Sequence, residues 1–441
     1  MRIAVVEPVG RGGLVHYAFE LCQGLAEEGA EVVLITDRTY ELGELSAPFR
    51  VERLLRLWDA RPAGEGEAGG GTAARSAVVR RALRRLGRGV RWHRERLRLL
   101  RRLRRLRPDV VQLGDLRFAG DLPFLLALRA SGLRLADVCH NVHRFSPHGG
   151  FGAGRLARPL FRRMYRQLDA VFVHWEVNRR RFLDTYGPIP GRLRAIAMGS
   201  PTLFRGLRDP AVTAETLRAR LGLPAAGEAR VVLAFGTLAP YKGLDVLVEA
   251  FAHLPPRGAT HVEVPPPRGA THVEVPGRDR DKSLEANDLE VPPPGATHLV
   301  VAGFPLPGFD PEGLRRQARR LGVADRVRVV PGYVPSAEVA AWMELADVAA
   351  FPHREVFQSG VLQVAAAFGV PVVASLVGAT SEVIRDGETG LLVPPGNAAA
   401  LAAALDRLLS DPAFARRLGA EASEDSRTRL AWRRAALEIL D

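Results

Sequence analysis

Twelve short, almost continuous apolar runs constrain the fold of this chain more than any other feature. Six lie in the first half of the 441 residues and six follow from residue 230 onward, with helical patterns such as 14–28 between several of them. Strands buried on both faces and separated by helices form parallel sheets. The runs are 2–8, 31–36, 109–114, 134–141, 170–175, 192–199, 230–236, 298–303, 326–332, 347–352, 370–375 and 390–395.

The restart of this pattern predicts an α/β fold with two doubly wound, Rossmann-like domains that face each other across a cleft. A chain of this length exceeds one ordinary domain of roughly 150 residues. The domains are joined near 200–225, and we assign 1–205 to the first and 206–411 to the second. Because ligands bind at the carboxyl ends of parallel strands, the cleft is the expected binding site.

Two segments depart from the alternation of strands and helices. Residues 62–74 have the composition of a flexible linker. The string "PRGATHVEVP" occurs at 256–265 and again at 267–276, and a partial copy begins at residue 294. Residues 255–294 are therefore predicted to be a disordered surface insert, to which we assign no function.

The net charge of +13 is concentrated in one segment, residues 75–107, which holds 15 arginines and a single acid. Apolar residues recur there at three- and four-residue steps with one gap at His93, which predicts a helix with a narrow apolar stripe. The stripe comprises Val79, Leu83, Leu86, Val90, Leu97, Leu100 and Leu103.

This basic helix has two interpretations. It packs on its own domain with a solvated basic face, or it binds anionic lipid at a membrane surface. The one-sided charge favours the membrane, and no recognition motif supports nucleic acid as a partner. The candidate membrane-surface residues are Arg80, Arg84, Arg88, Arg91, Trp92, Arg98 and Arg102.

The expected location is the cytoplasm, peripheral to the inner face of the plasma membrane. Cys22 and Cys139 stand in apolar surroundings, as buried thiols of a reducing compartment do. The first residues enter a strand at once, unlike a signal peptide. The apolar stretch 361–379 is interrupted by Gly369 and Pro371, which predicts a helix and a strand rather than a membrane span.

Lys242 is the most suggestive candidate for binding an anion. The chain has 62 basic residues but only two lysines, Lys242 and Lys282. Lys242 lies in "FGTLAPYKG" (235–243), between the end of a predicted strand and the start of a helix. Phosphate is favoured at a helix start, and an ammonium adds a compact charge.

Two further helix starts carry small residues. Ser359 and Gly360 precede a helix, where Ser359 is either a plain N-cap or part of a ligand site. Gly12 and Gly13 open the first helix, although Val15 stands where a dinucleotide motif has its last glycine. Together with the lysine, these groups are suited to hold a diphosphate between the domains.

Several segments resemble retaining glycosyltransferases of family 4, which have the two-domain GT-B architecture. They include "FGTLAPYKGLDVLVEAF" (235–251), "QSGVLQVAAAFGVPVVA" (358–374) and "GRGGLVHYAFEL" (10–21). The resemblance covers most of the chain apart from about 55–107 and 255–294. It is to the "PYKG…QSGV" variety, which lacks the second glutamate of an E-x7-E pattern.

The resemblance implies transfer of a hexose from a nucleotide diphosphate-sugar with retained anomeric configuration. No metal and no cofactor besides this co-substrate are expected. The acceptor would be a sugar or lipid-linked glycan, as in polysaccharide biosynthesis. Residues 412–441 would form a C-terminal helix that returns to the first domain.

The resemblance also implies roles for residues at matching positions. Catalysis would involve His140 and Lys242, although His140 is alternatively a loop histidine bonded to backbone. The diphosphate would be held by Gly12, Gly13, Lys242, Ser359, Gly360 and Val361. The donor sugar would contact His140 and Gln358. The base and ribose would lie at Gly332, Tyr333, Val334 and Gln363.

The chain departs from the family pattern at the two glutamates. Val356 and Val364 occupy their positions, while Glu355 and Gln363 stand one residue earlier. One residue of shift rotates a helical side chain by about 100°. Thr237 replaces the arginine that usually accompanies the lysine. Two alternatives therefore stay open: a non-catalytic glycosyltransferase-like binding protein, and a GT-B sugar-nucleotide epimerase.

Overall fold

The computed structural model describes residues 1–57, 91–116, 119–142, 157–254, 296–356 and 358–441. In these ranges seven strands form a first sheet: β1 (Arg2–Glu7), β2 (Glu31–Asp37), β3 (Arg50–Leu55), β4 (Val110–Leu113), β5 (Arg134–Cys139), β6 (Ala170–His174) and β7 (Arg192–Ile196). The order is β3-β2-β1-β4-β5-β6-β7, and every pair is parallel. The strand order reverses between β1 and β4, where a doubly wound sheet opens a crevice.

Helices cover both faces of this sheet. They are α1 (Gly13–Glu27), α2 (residues 91–106), α3 (Leu122–Arg129), α4 (Ala157–Tyr165) and α5 (Glu176–Tyr186). Alternate residues of β1 point to opposite faces: Val5 belongs to the apolar cluster of α1, and Val6 to the cluster that includes α2 and α3. This double burial explains why the strand sequences lack polar alternation.

A second parallel sheet repeats the plan with six strands among the described residues. They are β8 (Arg230–Phe235), β9 (Thr297–Gly303), β10 (Val327–Pro331), β11 (Val348–Phe351), β12 (Val372–Ser375) and β13 (Leu391–Val393). The order is β10-β9-β8-β11-β12-β13, again parallel throughout. The order reverses between β8 and β11, so the two sheets have corresponding crevices.

The helices of the second domain also lie on both faces of its sheet. They are α6 (Ala214–Arg220), α7 (Leu244–Ala252), α8 (Pro311–Arg320), α9 (Val339–Leu345), α10 (Gly360–Ala367), α11 (Thr380–Val383) and α12 (Ala398–Ser410). Val232 packs in the cluster of α7, α8 and α12, and Leu233 in that of α9 and α10. The predicted α/β fold with two doubly wound sheets is confirmed.

The C-terminal segment forms two helices where one was expected over 412–441. Helix α13 (Pro412–Arg427) packs on α10, and α14 (Trp432–Leu440) packs on α1 and β7. The Cβ of an alanine at Gly199 would lie 2.2 Å from the Trp432 ring. The chain therefore ends against the first domain, with Trp432 fitted into a place that only glycine leaves open.

Each predicted apolar run contains a strand, but β3 was missed. Its sequence, "RVERLL", carries three charged residues, and its burial is intermediate or exposed except at Leu55. Among the described strands, β3 is at the edge of its sheet and has a neighbour on one side only. An edge strand needs no continuous apolar run, so the pattern that identified the other strands is absent.

The described part of the basic helix corrects the predicted apolar stripe. Leu100 and Leu103 are buried as expected, whereas Leu97 is 52% exposed. Leu99 and Leu106 complete the buried face. The expected spacing placed the stripe partly on the wrong side, because leucines occupy both faces of this helix.

Several candidate membrane residues are held by their own domain. Trp92 Nε1 donates to Asp121 Oδ1 at 3.0 Å, and Arg98 contacts Glu95 at 3.0 Å. Arg102 bonds both carboxylate oxygens of Glu52, at 2.7 and 2.5 Å. For these three residues the structure supports packing on the domain rather than a free basic surface.

Four candidate membrane residues of the basic segment remain. Arg91 is half-buried, and Arg80, Arg84 and Arg88 lie outside the described residues, as do the segments 62–74 and 255–294. Within the described ranges, no helix combines the length and apolar content required to cross a membrane.

Candidate functional site

Lys242 ends a short 3-10 turn, Pro240–Lys242, between β8 and α7. The next residue, Gly243, is left-handed (φ 64°), and a Cβ there would lie 2.0 Å from the Pro352 carbonyl oxygen. Arg354 N–H donates to the Tyr241 carbonyl at 2.8 Å. Glycine is thus required for the lysine turn to pack closely on the segment that follows β11.

The Lys242 ammonium is buried beside a histidine. The residue is 9% exposed, and Nζ lies 3.1 Å from His353 Nε2. Burial lowers the pKa of Lys242 to about 8. Burial, and then the charge of Lys242, hold the pKa of His353 well below its usual value. In the described part of the chain, no carboxylate forms an ion pair with this lysine.

Residues 359–361 form the start of α10 and contact the turn after β8. Ser359 is an N-cap whose hydroxyl accepts from Leu362 N–H at 3.4 Å, and its role in a ligand site stays a prediction. Gly236 (φ 109°) follows β8, and a Cβ there would lie 2.8 Å from Val361 Cγ2. All three residues, Ser359, Gly360 and Val361, are half-buried. The structure therefore joins the two predicted diphosphate segments.

The two residues predicted to face the donor sugar meet across the domains. His140 directly follows β5, and its Nδ1 lies 3.3 Å from Gln358 Nε2. An amide nitrogen only donates, so Nδ1 accepts and the ring proton of a neutral His140 is on Nε2. The Tyr17 and His140 rings pack in a T-shaped arrangement, with 4.4 Å between ring centroids. His140 is thus within hydrogen-bonding distance of a side chain of the opposite domain.

The glycine loop at α1 is held by a carboxylate that sequence reasoning missed. Gly12 (φ 80°) donates its N–H to Glu41 Oε1 at 2.7 Å, and a Cβ built on Gly12 or Gly13 would meet no atom of the described residues within 4 Å apart from its adjacent backbone. His16 Nε2 also lies 2.7 Å from Glu41 Oε1. Burial raises the pKa of Glu41, but the hydrogen bonds from His16 and Gly12 outweigh burial and lower the pKa to about 2.

The segment predicted for the nucleotide base reaches the same carboxylate. Gly332, Tyr333 and Val334 follow β10, and the Tyr333 hydroxyl donates to Glu41 Oε2 at 2.7 Å. Burial and this bond raise the pKa of Tyr333 to about 12. Ser336 Oγ lies 2.9 Å from His16 Nε2. The base segment and the glycine loop are therefore connected across the cleft.

Gln363 does not join this group. It is 1% exposed, and its amide donates to the Met198 carbonyl at 3.2 Å. This bond uses one amide donor between the domains, and the placement of Gln363 at the ribose stays a prediction. Val356 and Val364 are buried, whereas Glu355 is exposed.

The sequence offered unequal signals for the residues that were missed. His353 comes directly after a predicted strand, and His16 lies one helical turn after Gly12. Glu41 is 29 residues from the glycine it binds, so no spacing indicates it. No group of three or more His, Cys, Asp or Glu side chains suited to a metal ion occurs among the residues that were described.

Comparison with known proteins agrees with this architecture. Residues 12–199 match the family model "Glycosyl transferase 4-like domain", and residues 283–411 match "Glycosyl transferases group 1". The chain has the GT-B fold and is glycosyltransferase-like in both domains. The "PYKG…QSGV" variety stays a prediction.

The curated relatives are similar over part of their length. The chain is 33% identical over 273 residues to D-inositol 3-phosphate glycosyltransferase of Thermomonospora curvata, covering 60% of this chain and 54% of the relative. The enzyme of that name from Streptomyces bingchenggensis is 33% identical over 275 residues, covering 62% and 52%. This GT-B protein thus spans about half the length of these relatives.

Solved structures show the same fold. Sucrose-phosphate synthase of Thermosynechococcus elongatus has a TM-score of 0.64 at 22% identity, covering 99% of this chain and 97% of that one. HepE of Anabaena, solved in complex with UDP and glucose, has a TM-score of 0.64 at 17% identity, covering 100% and 98%. At these identities the likeness concerns the GT-B fold alone.

Proposed function

We propose that the protein is a metal-independent, configuration-retaining glycosyltransferase that moves a hexose from a nucleoside diphosphate-sugar. The observation that carries the proposal is the buried ammonium of Lys242, which has a neutral imidazole as its partner and no carboxylate among the described residues. A buried cation without counter-charge is unfavourable unless an anion joins it. A diphosphate bound beside α10 supplies that charge.

Lys242 acts mainly on the leaving group. As the bond between the anomeric carbon and the phosphate oxygen breaks, negative charge grows on the diphosphate. An ammonium already in place stabilises that charge without reorganising, which is commonly the largest electrostatic contribution to catalysis. The N–H groups that open α10, which lack partners within the helix, add to it. A divalent cation is then not required.

His140 and Gln358 orient the sugar. They come from opposite domains and are within hydrogen-bonding distance of each other, so a sugar at this place contacts both domains. We assign no covalent nucleophile. The acceptor hydroxyl attacks the anomeric carbon on the face that the diphosphate leaves, and its proton passes to a phosphate oxygen of the donor, which retains the configuration.

The first acceptor to test is an inositol phosphate, because the curated relatives are named for it. A lipid-linked glycan is the second, as the basic helix suggested. Location at the cytoplasmic membrane surface belongs to the same proposal.

The test begins with a thermal-shift screen of UDP-, GDP- and ADP-sugars, since ligands that bind the folded state raise its stability. The stabilising donor is then incubated with each acceptor, with and without EDTA. We expect sugar transfer that EDTA leaves intact. Donor binding without turnover favours the non-catalytic binding protein, an isomerised donor favours the epimerase, and either result contradicts the proposal.

A further inference from the structure

We propose that His353 is a positioning residue that holds the Lys242 ammonium toward the diphosphate site and keeps it protonated. Its catalytic importance rests on the proposed function, but the interaction itself is testable without a donor or turnover. Nothing in the sequence motifs assigns a role to this histidine.

The fold brings the two side chains together at the switch point of the second sheet. β8 and β11 are paired neighbours, with Val348 opposite Val232. Lys242 lies in the turn after β8, and His353 is the second residue after β11. His353 is 2% exposed, and its Nε2 lies 3.1 Å from Nζ. The contact is therefore built into the carboxyl edge of the sheet.

The chemistry of the pair fixes which atom donates. An ammonium has donors only, so His353 Nε2 must accept and the imidazole proton must be on Nδ1. A protonated imidazole would place two buried cations side by side. His353 thus acts as a neutral acceptor whose lone pair faces the ammonium.

Packing alone does not explain why a histidine is buried at position 353. His353 Nδ1 is buried and has no hydrogen-bond partner within the described ranges. Such an unsatisfied group costs free energy and calls for an explanation. Fixing the rotamer and charge of Lys242 provides one.

The neighbouring ionisable groups do not replace His353. On the segments packed around Lys242 they are Tyr241, Asp245, Arg354 and Glu355. Asp245 and Arg354 are bonded to each other at 2.8 and 2.6 Å. The Tyr241 ring centroid lies 5.7 Å from Nζ, and Glu355 is exposed.

Removal of the acceptor has a measurable consequence for Lys242. A hydrogen bond to the charged form raises the pKa of a lysine and so opposes the effect of burial. Such a bond shifts the pKa by about one unit or more. Without it the ammonium loses its proton at lower pH and its fixed direction.

The experiment uses the full chain labelled with ¹³C-lysine. Because the sequence has only two lysines, the spectrum holds two sets of lysine signals, and Lys242→Arg identifies that of Lys242. We expect a pKa near 8 in the unaltered protein, a value lower by about one unit in His353→Phe, and a nearly unaltered value in His353→Gln, which retains an acceptor. Equal pKa values in the protein and His353→Phe, or equal shifts in both variants, overturn the proposal.

A measurement on the unaltered protein covers the case in which His353→Phe fails to fold. The ¹⁵N shifts of His353 should show the neutral Nδ1–H tautomer from pH 6 to 8, and an Nε2–H tautomer overturns the inference. These titrations need no donor. If the pKa of Lys242 responds as expected but the protein transfers no sugar, only the proposed function is refuted. If the protein transfers sugar but the pKa of Lys242 does not respond, only the positioning role of His353 is refuted.

Discussion

Lys242 differs from the neighbouring cation Arg354 in the groups that surround its charge. Arg354, close by in the fold, is paired with Asp245, so its charge is balanced. Lys242 is buried against a neutral imidazole instead. Among the described residues this cation has no counter-charge, and it lies at the switch point of the second sheet, which is where doubly wound domains bind ligands.

Replacing this lysine tests its electrostatic role directly. We expect Lys242→Ala to lower turnover with the identified donor by roughly 10²-fold or more, because the charge on the leaving group loses its main stabilisation. The measurement is steady-state transfer kinetics. Arg319→Ala removes one positive charge from the exposed surface of α8 and should leave turnover unaltered. Near-normal turnover in Lys242→Ala excludes the lysine from the mechanism.

The affinity for nucleoside diphosphate should depend on alkaline pH. The pKa of Lys242 in the ligand-free protein is lowered by burial to about 8, and the protonated form binds the anion. Affinity should therefore begin to decline between pH 7 and 8, fall to about half at pH 8 and approach a tenfold loss per pH unit above it, as calorimetry between pH 7 and 9 would detect. Lys242→Arg remains charged throughout this range, so its affinity should not decline. A wild-type profile that stays flat would contradict the assignment.

At the scale of elements, the composition of α2 and its packing lead to different conclusions about its basic surface. Its arginines suggested a basic surface, yet Trp92 and Arg102 are bonded to acids of the first domain. Arg101 and Arg105 remain exposed. Arg94 and Arg104 of the same helix are exposed as well, so membrane contact by the described part of α2 would involve these outward residues.

Vesicle sedimentation tests whether Arg101 and Arg105 contribute to binding an anionic membrane. Each basic residue near an anionic membrane contributes about 1 kcal/mol, so Arg101→Ala with Arg105→Ala should weaken binding to anionic vesicles by roughly 30-fold. Arg319→Ala with Arg320→Ala, on the exposed face of α8, is the matched control. Equal losses in both double variants, or equal binding to neutral vesicles, would refute the membrane assignment.

At the scale of the whole molecule, Glu20 ties α1 to the segment that joins the domains. Its Oε1 accepts the backbone N–H groups of Thr202 and Leu203, each at 2.6 Å. Burial raises the pKa of Glu20 to about 7, although these bonds act in the opposite direction. The segment that joins the domains is thus bonded to a carboxyl group whose pKa is about 7.

Stability should depend on this carboxyl group between pH 4.5 and 7. In that range the folded state holds more protons than the unfolded state, whose pKa is near 4.5, so stability falls as pH rises. Glu20→Gln keeps an acceptor and should gain up to about 3 kcal/mol relative to wild type across the window. Denaturant unfolding at pH 4.5 and 7 measures this. Glu249→Gln, at an exposed site, should show no such gain, and an equal gain there would exclude Glu20 as the cause.

The sequence predicted most of the scaffold and part of the site. Strands such as β8 were identified because burial on both faces leaves a continuous apolar run, whereas β3 at the edge leaves none. Gly12, Lys242 and Ser359 were selected as candidates because each lies where a strand ends or a helix begins. Glu41 was not, because its partners come from distant segments.

The sequence by itself determined the two parallel sheets and the chain positions of the turns at their carboxyl ends, because hydrophobic periodicity and glycine placement act over a few residues. Only the tertiary structure decided which side chains meet: His140 with Gln358 and Lys242 with His353. It also turned Gln363 toward Met198. Such pairs depend on how sheets and domains pack, and no local pattern in the chain encodes a distance between residues more than a hundred positions apart.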